Sequence, residues 1–142
     1  MDTSSPCTCF QLRRAARRVS QVYDHHLAAA DLSLNAYSIL RRAREPRSLG
    51  ELADALGMDR TTLSRNLKPL VDSGLLASQP GKDSRQRRLH ITAAGRRRLK
   101  KAFPLWQRAQ EDVEAAFGST RVAGLNRQLE ALTQVLDAGV SA

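Results

Sequence analysis

Long apolar runs are missing from this chain of 142 residues. No stretch approaches the roughly 20 apolar residues that a membrane span needs, and the N-terminus has no secretory hydrophobic region. The sequence therefore predicts a cytoplasmic protein that stays off the membrane. Cysteine is scarce: Cys7 and Cys9 are too few and too close for a disulfide framework, which fits a reducing compartment. Catalytic and metal-binding constellations are missing as well. There is no H-x-x-x-H pair, no C-x-x-C, no phosphate loop and no nucleophile elbow. His25 and His26 are adjacent, so on a helix they diverge by about 100° and cannot hold one ion together. These two and His90, on a short strand, read as polar surface or packing. No enzyme, metal or cofactor is expected.

Acid is scarce in one segment. Between Pro80 and Lys101 nine basic residues stand against the single Asp83, so that segment carries eight of the nine net positive charges. A concentrated patch of this kind points to a polyanionic partner. A membrane surface is the weaker candidate, because the basic block lacks the large aromatic and Leu-rich face that an interfacial helix buries.

The length fits one domain, 1–142, and helix signals dominate it. Ser4 or Ser5 before Pro6 reads as a cap with proline in the first turn. Leu12, Ala16, Val19, Tyr23 and Leu27 then recur at helical spacing to about Ala30. Ser33 caps a second helix over Asn35–Ala43, stopped near Pro46. Ser48 caps a third, with Glu51 completing a capping box and Gly57 ending it. Asp59 caps a fourth that Gly74 closes, and Pro69 inside it predicts a bend. Leu75–Ser78 and Arg88–Ile91 are strand candidates around a hairpin at Pro80-Gly81. Thr92 caps a fifth helix, whose seam of Leu99, Ala102, Trp106, Ala109, Val113 and Ala116 is interrupted by Pro104. After Gly118 a sixth carries Val122, Leu125, Leu129, Leu132 and Leu136. The first, fifth and sixth helices are too long to wrap a small core, which suggests self-association; an ordinary intrachain bundle is the alternative.

The fourth helix has two faces. Leu63, Leu67, Leu70 and Val71 form an apolar one, while Thr61, Ser64, Arg65 and Lys68 fall at i, i+3, i+4 and i+7 on a polar one. Hydroxyl and guanidinium donors at that spacing suit a groove of DNA. With the preceding helix and the basic hairpin, this makes a winged helix-turn-helix. The fold class is mainly α with a small β wing, the reading head (33–92) being flanked by long dimerisation helices (7–32 and 93–138).

The run SLGELADALGMDRTTLSRNLKPLVDSGLL, the wing GKDSRQRRLHIT and the AAG opening the next helix resemble the MarR family of bacterial transcriptional regulators. The most specific part is the D-x-R-x-x-R wing of Asp83, Arg85 and Arg88, joined to Leu89, Ile91, Thr92 and Gly95. The resemblance implies a homodimer on a pseudo-palindromic duplex, its fourth helix in the major groove and its wing in the adjacent minor groove. Arg60, Thr61, Thr62, Ser64, Arg65 and Lys68 become the helix contacts, with Arg65 able to fork onto guanine and the hydroxyls as apt for phosphates as for bases. Lys82, Asp83, Arg85, Arg87 and Arg88 become the wing contacts, Arg85 or Arg87 entering a narrow A·T-rich groove and Asp83 orienting an arginine. Arg96–Arg98, Lys100 and Lys101 either touch phosphates or form a solvated face. Two departures stand out: Gln86 where the family's wing often has an acid, and Ala36 where its second helix often has Gln.

The family commonly binds small aromatic or phenolic acids between dimerisation helices and reading head. That makes Tyr37, Arg14, Arg18 and His25 candidate ligand residues, Tyr37 doubling as a core candidate. The resemblance thus implies a repressor released by such a ligand. Thiol-based redox sensing through Cys7 and Cys9 is one alternative. As helix residues two apart these would face different ways, so a bridge would join protomers. A winged-helix adaptor without operator binding is the other.

Overall fold

The computed structural model describes residues 6–83 and 86–140. Helix α1 (Thr8–Leu27) is closed by a 3-10 turn at Ala28–Ala30 and followed by α2 (Leu34–Arg42). A two-residue strand β1 (Arg47–Ser48) leads into α3 (Leu49–Leu56) and α4 (Arg60–Asp72). Strands β2 (Leu76–Pro80) and β3 (Arg87–Ile91) form the wing, and α5 (Ala93–Phe117) and α6 (Ser119–Val140) complete the chain.

Four helix starts follow from local chemistry. Ser33, Ser48, Asp59 and Thr92 are extended residues whose side chains accept from Ala36, Glu51, Thr62 and Gly95 amides, satisfying donors that the first turn leaves without partners. Gly57 ends α3 in the left-handed conformation at φ 65°. The start of α1 differs from the sequence reading. Cys7 is its cap residue and makes no side-chain cap bond, so Pro6 precedes the cap instead of lying in the first turn. The Ser4 and Ser5 candidates lie outside the described residues.

The sheet is antiparallel in the order β1-β3-β2, with Leu76 opposite Ile91, Pro80 opposite Arg87 and Arg47 opposite Leu89. Alternation along β3 buries Leu89 and Ile91 and leaves Arg88 and His90 on the other face. β2 lies one to two residues further along than its apolar run suggested, because ladder pairing with β3 carries it to Pro80. β1 had no sequence signal of its own; β3 supplies its pairing.

Leu27, Ile39, Leu40, Leu52, Leu63 and Leu76 are fully buried and anchor a core shared by α1–α5 and the sheet. Each contributes about 1.5–3 kcal/mol by leaving water. The start of α5 is stitched to this core. Thr92 Oγ1 donates to the Gly74 carbonyl at 2.6 Å and Thr92 N to that of Leu75 at 3.1 Å. A β-carbon on Gly95 would overlap the Leu75 carbonyl oxygen and stand 2.6 Å from Ile91 Cγ1, so the close approach requires glycine.

Helix α5 runs unbroken through Pro104, the residue expected to interrupt its seam. Pro104 is solvent-exposed, so the Lys100 carbonyl is the acceptor it deprives and the helix continues on the packing of its neighbours. The seam buries Leu99, Ala102 and Ala109, half-buries Trp106 and Val113, and leaves Ala116 exposed. In α6 only Val122 of the apolar series is buried; Leu125, Leu132 and Leu136 are exposed. Among the described residues, no helix is long and apolar enough to cross a membrane.

Candidate nucleic-acid interface

On α4 the buried stripe is Leu63, Leu67 and Leu70. Val71, assigned to that stripe from sequence, is exposed, because it lies about 40° from Leu67 toward the polar face. Arg60, Thr61, Thr62, Ser64, Arg65 and Lys68 are all exposed. They are not equivalent. Thr62 Oγ1 donates to Asp59 Oδ2 at 2.9 Å and its amide to Oδ1 at 2.8 Å, so this side chain is engaged in the cap. The same bonds hold the Asp59 carboxyl below the usual aspartate range. Lys68 Nζ sits 3.0 Å from Asp72 Oδ2, an exposed pair that a phosphate can displace at little cost. Thr61, Ser64 and Arg65 project from the middle of the polar face. The Arg60 guanidinium folds back toward the first turn of α3, beside Gly50.

The wing hairpin is closed by Gly81 N donating to the Gln86 carbonyl at 2.6 Å and Gln86 N to that of Asp83 at 2.9 Å. Lys82 and Asp83 are exposed at its turn, and Arg85 lies outside the described residues. Arg87 Nε donates to Ser78 Oγ at 2.7 Å, tying it across the ladder. Arg88 Nη2 sits 3.5 Å from Glu51 Oε1 and joins the wing to α3. The Glu51 carboxylate, expected to complete a capping box, thus faces a wing arginine, while its amide bonds Ser48 Oγ.

The basic run opening α5 divides in a way the sequence did not show. Arg96 Nη2 donates to the Arg44 carbonyl at 3.2 Å and Arg98 Nη1 to that of Ala30 at 3.3 Å, so two of its five cations tie α5 to neighbouring chain ends. Arg97, Lys100 and Lys101 remain exposed.

Between α2 and α5 opens a cleft of about 540 Å³ lined by Tyr37, Arg41, Arg44, Arg96, Leu99, Lys100 and Phe103. Trp106 backs it, stacked on Tyr37 and Phe103 at centroid distances of 6.3 and 6.0 Å, with the Arg41 guanidinium 5.8 Å from its ring centre. Burial pushes the Tyr37 hydroxyl pKa up, against the opposing pull of Arg41 and Arg44. Of the four ligand candidates, only Tyr37 lines this cleft. Arg14 donates to Gln11 and lies over the Phe10 ring, and Arg18 is exposed on α1. His25 stands edge-on to His26, which contacts Asp112 at 2.6 Å. The cations that do line the cleft, Arg41 and Arg44 at the end of α2 and just after it and Arg96 and Lys100 in α5, come from segments more than 50 residues apart. Their one local signal is the i, i+4 spacing of Tyr37 with Arg41 and of Arg96 with Lys100.

Cys7 and Cys9 are both exposed. Cys7, at φ −66° and ψ 112°, is extended and outside the helix, so the helix-face argument against a bridge between the two does not apply to it. Among the described residues, no group of three or more His, Cys, Asp or Glu side chains could hold a metal ion.

Comparison with known proteins agrees with this geometry. A helix-turn-helix domain model matches residues 35–79. The chain is 37% identical over 94 residues to the HTH-type transcriptional regulator PetP of Rhodobacter capsulatus; the match covers 63% of this chain and 55% of PetP. The structure superposes on the M. tuberculosis transcriptional regulator MosR in complex with DNA with a TM-score of 0.74 and 37% identity, covering 89% of this chain and 98% of MosR. The fold also matches a mutant E. coli MarR complexed with operator DNA, at a TM-score of 0.78 and 20% identity over 86% of this chain and 90% of that one. PetP and MosR are regulators of transcription. With a reading head and flanking helices that superpose on MosR over nearly its whole length, the chain belongs to the MarR family of winged helix-turn-helix transcriptional regulators.

Proposed function

We propose that the protein is a cytoplasmic homodimeric repressor that binds a pseudo-palindromic DNA duplex and is released by a small aromatic or phenolic acid. The observation that carries the DNA reading is the exposed polar face of α4 beside a basic wing, both fixed to one core. Arg65 reads a base edge, Thr61 and Ser64 meet bases or phosphates, Arg85 or Arg87 of the wing enters the minor groove, and Lys82 and Arg88 contact the DNA beside it. The dimer reading is supported by apolar side chains left exposed on α1 and α6, among them Phe10, Leu12, Leu125, Val135 and Leu136. Dimerisation helices (7–32 and 93–138) would thus flank a reading head (33–92). The α2–α5 cleft supports the effector reading: four cations suit an acid group, and Tyr37, Phe103 and the Trp106 stack suit an aromatic ring.

Selection of duplexes from a random pool tests the first claim. A selected palindrome should bind about 10³-fold tighter than random DNA, since a steep salt dependence alone shows only phosphate contact. Equal binding to all duplexes would favour an adaptor. Salicylate and other hydroxybenzoates then test the effector. Release can weaken DNA binding only by the ligand's differential affinity for the two dimer states, and Arg41→Ala should abolish it.

A second reading, thiol-based sensing, is favoured by the exposure of Cys7 and Cys9 and by the extended backbone at Cys7. Hydrogen peroxide that releases the wild type from DNA, but not the Cys7→Ser/Cys9→Ser variant, would establish it.

A further inference from the structure

We propose that Gly50 is a positioning residue for Arg60, and that Arg60 grips the DNA backbone instead of reading bases. Arg60 opens α4, and on the helix wheel it lies about 40° from Ser64, toward the buried stripe and away from Arg65. Its side chain follows that direction. Arg60 Nη2 is 3.0 Å, and Cζ 3.8 Å, from the point where a β-carbon on Gly50 would sit. The exposed guanidinium thus lies against the face of α3 where Gly50 has no side chain. Ser48 Oγ, 4.0 Å from the same point, is committed to the Glu51 amide at 3.1 Å. Glu51 in turn faces Arg88 at 3.5 Å. The first turn of α3 therefore lies between two cations, one from the recognition helix and one from the wing. An arginine folded onto this shoulder is drawn back from the line along which Thr61, Ser64 and Arg65 project. Its donors suit a phosphate flanking the groove. A β-carbon at position 50 would make the guanidinium give by a few tenths of an ångström, enough on this proposal to turn its donors from the phosphate.

The inference rests on α4 entering the groove as proposed above. The probes are a duplex selected by the wild-type protein from a random pool and a scrambled duplex of equal composition, each titrated over a salt series. Arg60→Ala should weaken both duplexes about tenfold, the loss of one charge-assisted contact, and lower the salt slope by about 0.9. Gly50→Ala should weaken both in the same way while keeping or raising the melting temperature, since alanine favours a helix over glycine. In the Arg60→Ala background it should add nothing. Loss of preference for the selected duplex in Arg60→Ala would overturn the backbone assignment. An equal effect of Gly50→Ala with or without Arg60 would overturn the positioning role. Arg65→Ala reads the docking separately: uniform loss there would count against the α4 docking, whatever the Gly50–Arg60 pair shows.

Discussion

The reading head and the flanking helices are built from similar apolar patterns but use them differently. In the head, Ile39, Leu40, Leu52, Leu63 and Leu76 are wholly buried within a single chain. In the flanks Leu27, Leu99 and Ala109 are buried too, but much of the stripe stays in water: Phe10 is 55% exposed, Val135 69% and Leu136 57%. Helical periodicity therefore states only that a face will be covered, and the cover here comes from two sources. The head is completed by its own sheet, and for the flanks the proposed cover is a second copy of the chain.

Removing an apolar side chain from each region separates these roles. Leu40→Ala should give the largest effect, about 2–5 kcal/mol of unfolding free energy, because it leaves a cavity in packed surroundings. Urea melts would show it, and a loss below 1 kcal/mol would mean the core is looser than its burial indicates. Leu136→Glu should leave the head folded and raise the dimer dissociation constant about tenfold or more, since a charge would enter an apolar contact. Sedimentation velocity over a concentration series reads this directly. Unchanged association would return the flanks to an ordinary intrachain bundle.

Within the head the contrast narrows to one helix. Arg65→Ala touches no core residue, so melting should hold while the selected site loses about 1–3 kcal/mol and its sequence preference relaxes. Quantitative gel shifts on single-base variants of the site would locate the affected position. If every sequence lost equally, Arg65 would be a phosphate contact.

The same contrast explains what could be read before the structure. Caps are local, three-residue chemistry, so Ser33, Ser48, Asp59 and Thr92 were legible from spacing alone. The α4 polar face was legible for the same reason. Pairing is not local: β1 exists because β3 passes beside it, and the end of β2 is set by Arg87 across the ladder. The cleft was least legible. Arg14, Arg18 and His25 were plausible by charge and by family, but the cleft's cations come from α2, the turn after it and the start of α5, which the bonds from Ile91 N to the Ala43 carbonyl and from Arg96 to the Arg44 carbonyl bring together. Arg60 belongs to the same class, because the glycine its guanidinium lies against is in another helix.

The smallest expected effect separates the starts of the helices. Asp59 is the only charged cap among Ser33, Ser48, Asp59 and Thr92, and its carboxyl titrates below the ordinary 3.8, chiefly through the Thr62 amide and hydroxyl bonds. A depressed folded-state pKa means stabilisation that is present above the unfolded value and lost as pH falls through the folded one. Asp59→Asn keeps a capping oxygen but removes the charge, so wild type should exceed this variant at pH 7 and converge with it as acid protonates the carboxyl below its ordinary range. Hydrogen exchange at the first-turn amides of α4 measures this more cleanly than global melting, because the carboxyl is fully exposed and its effect is local. The start of α5, capped by the neutral Thr92, should show no such step. Equal acid sensitivity at both starts would mean that the head loosens as a whole, and that α4 does not have an acid-labile end of its own.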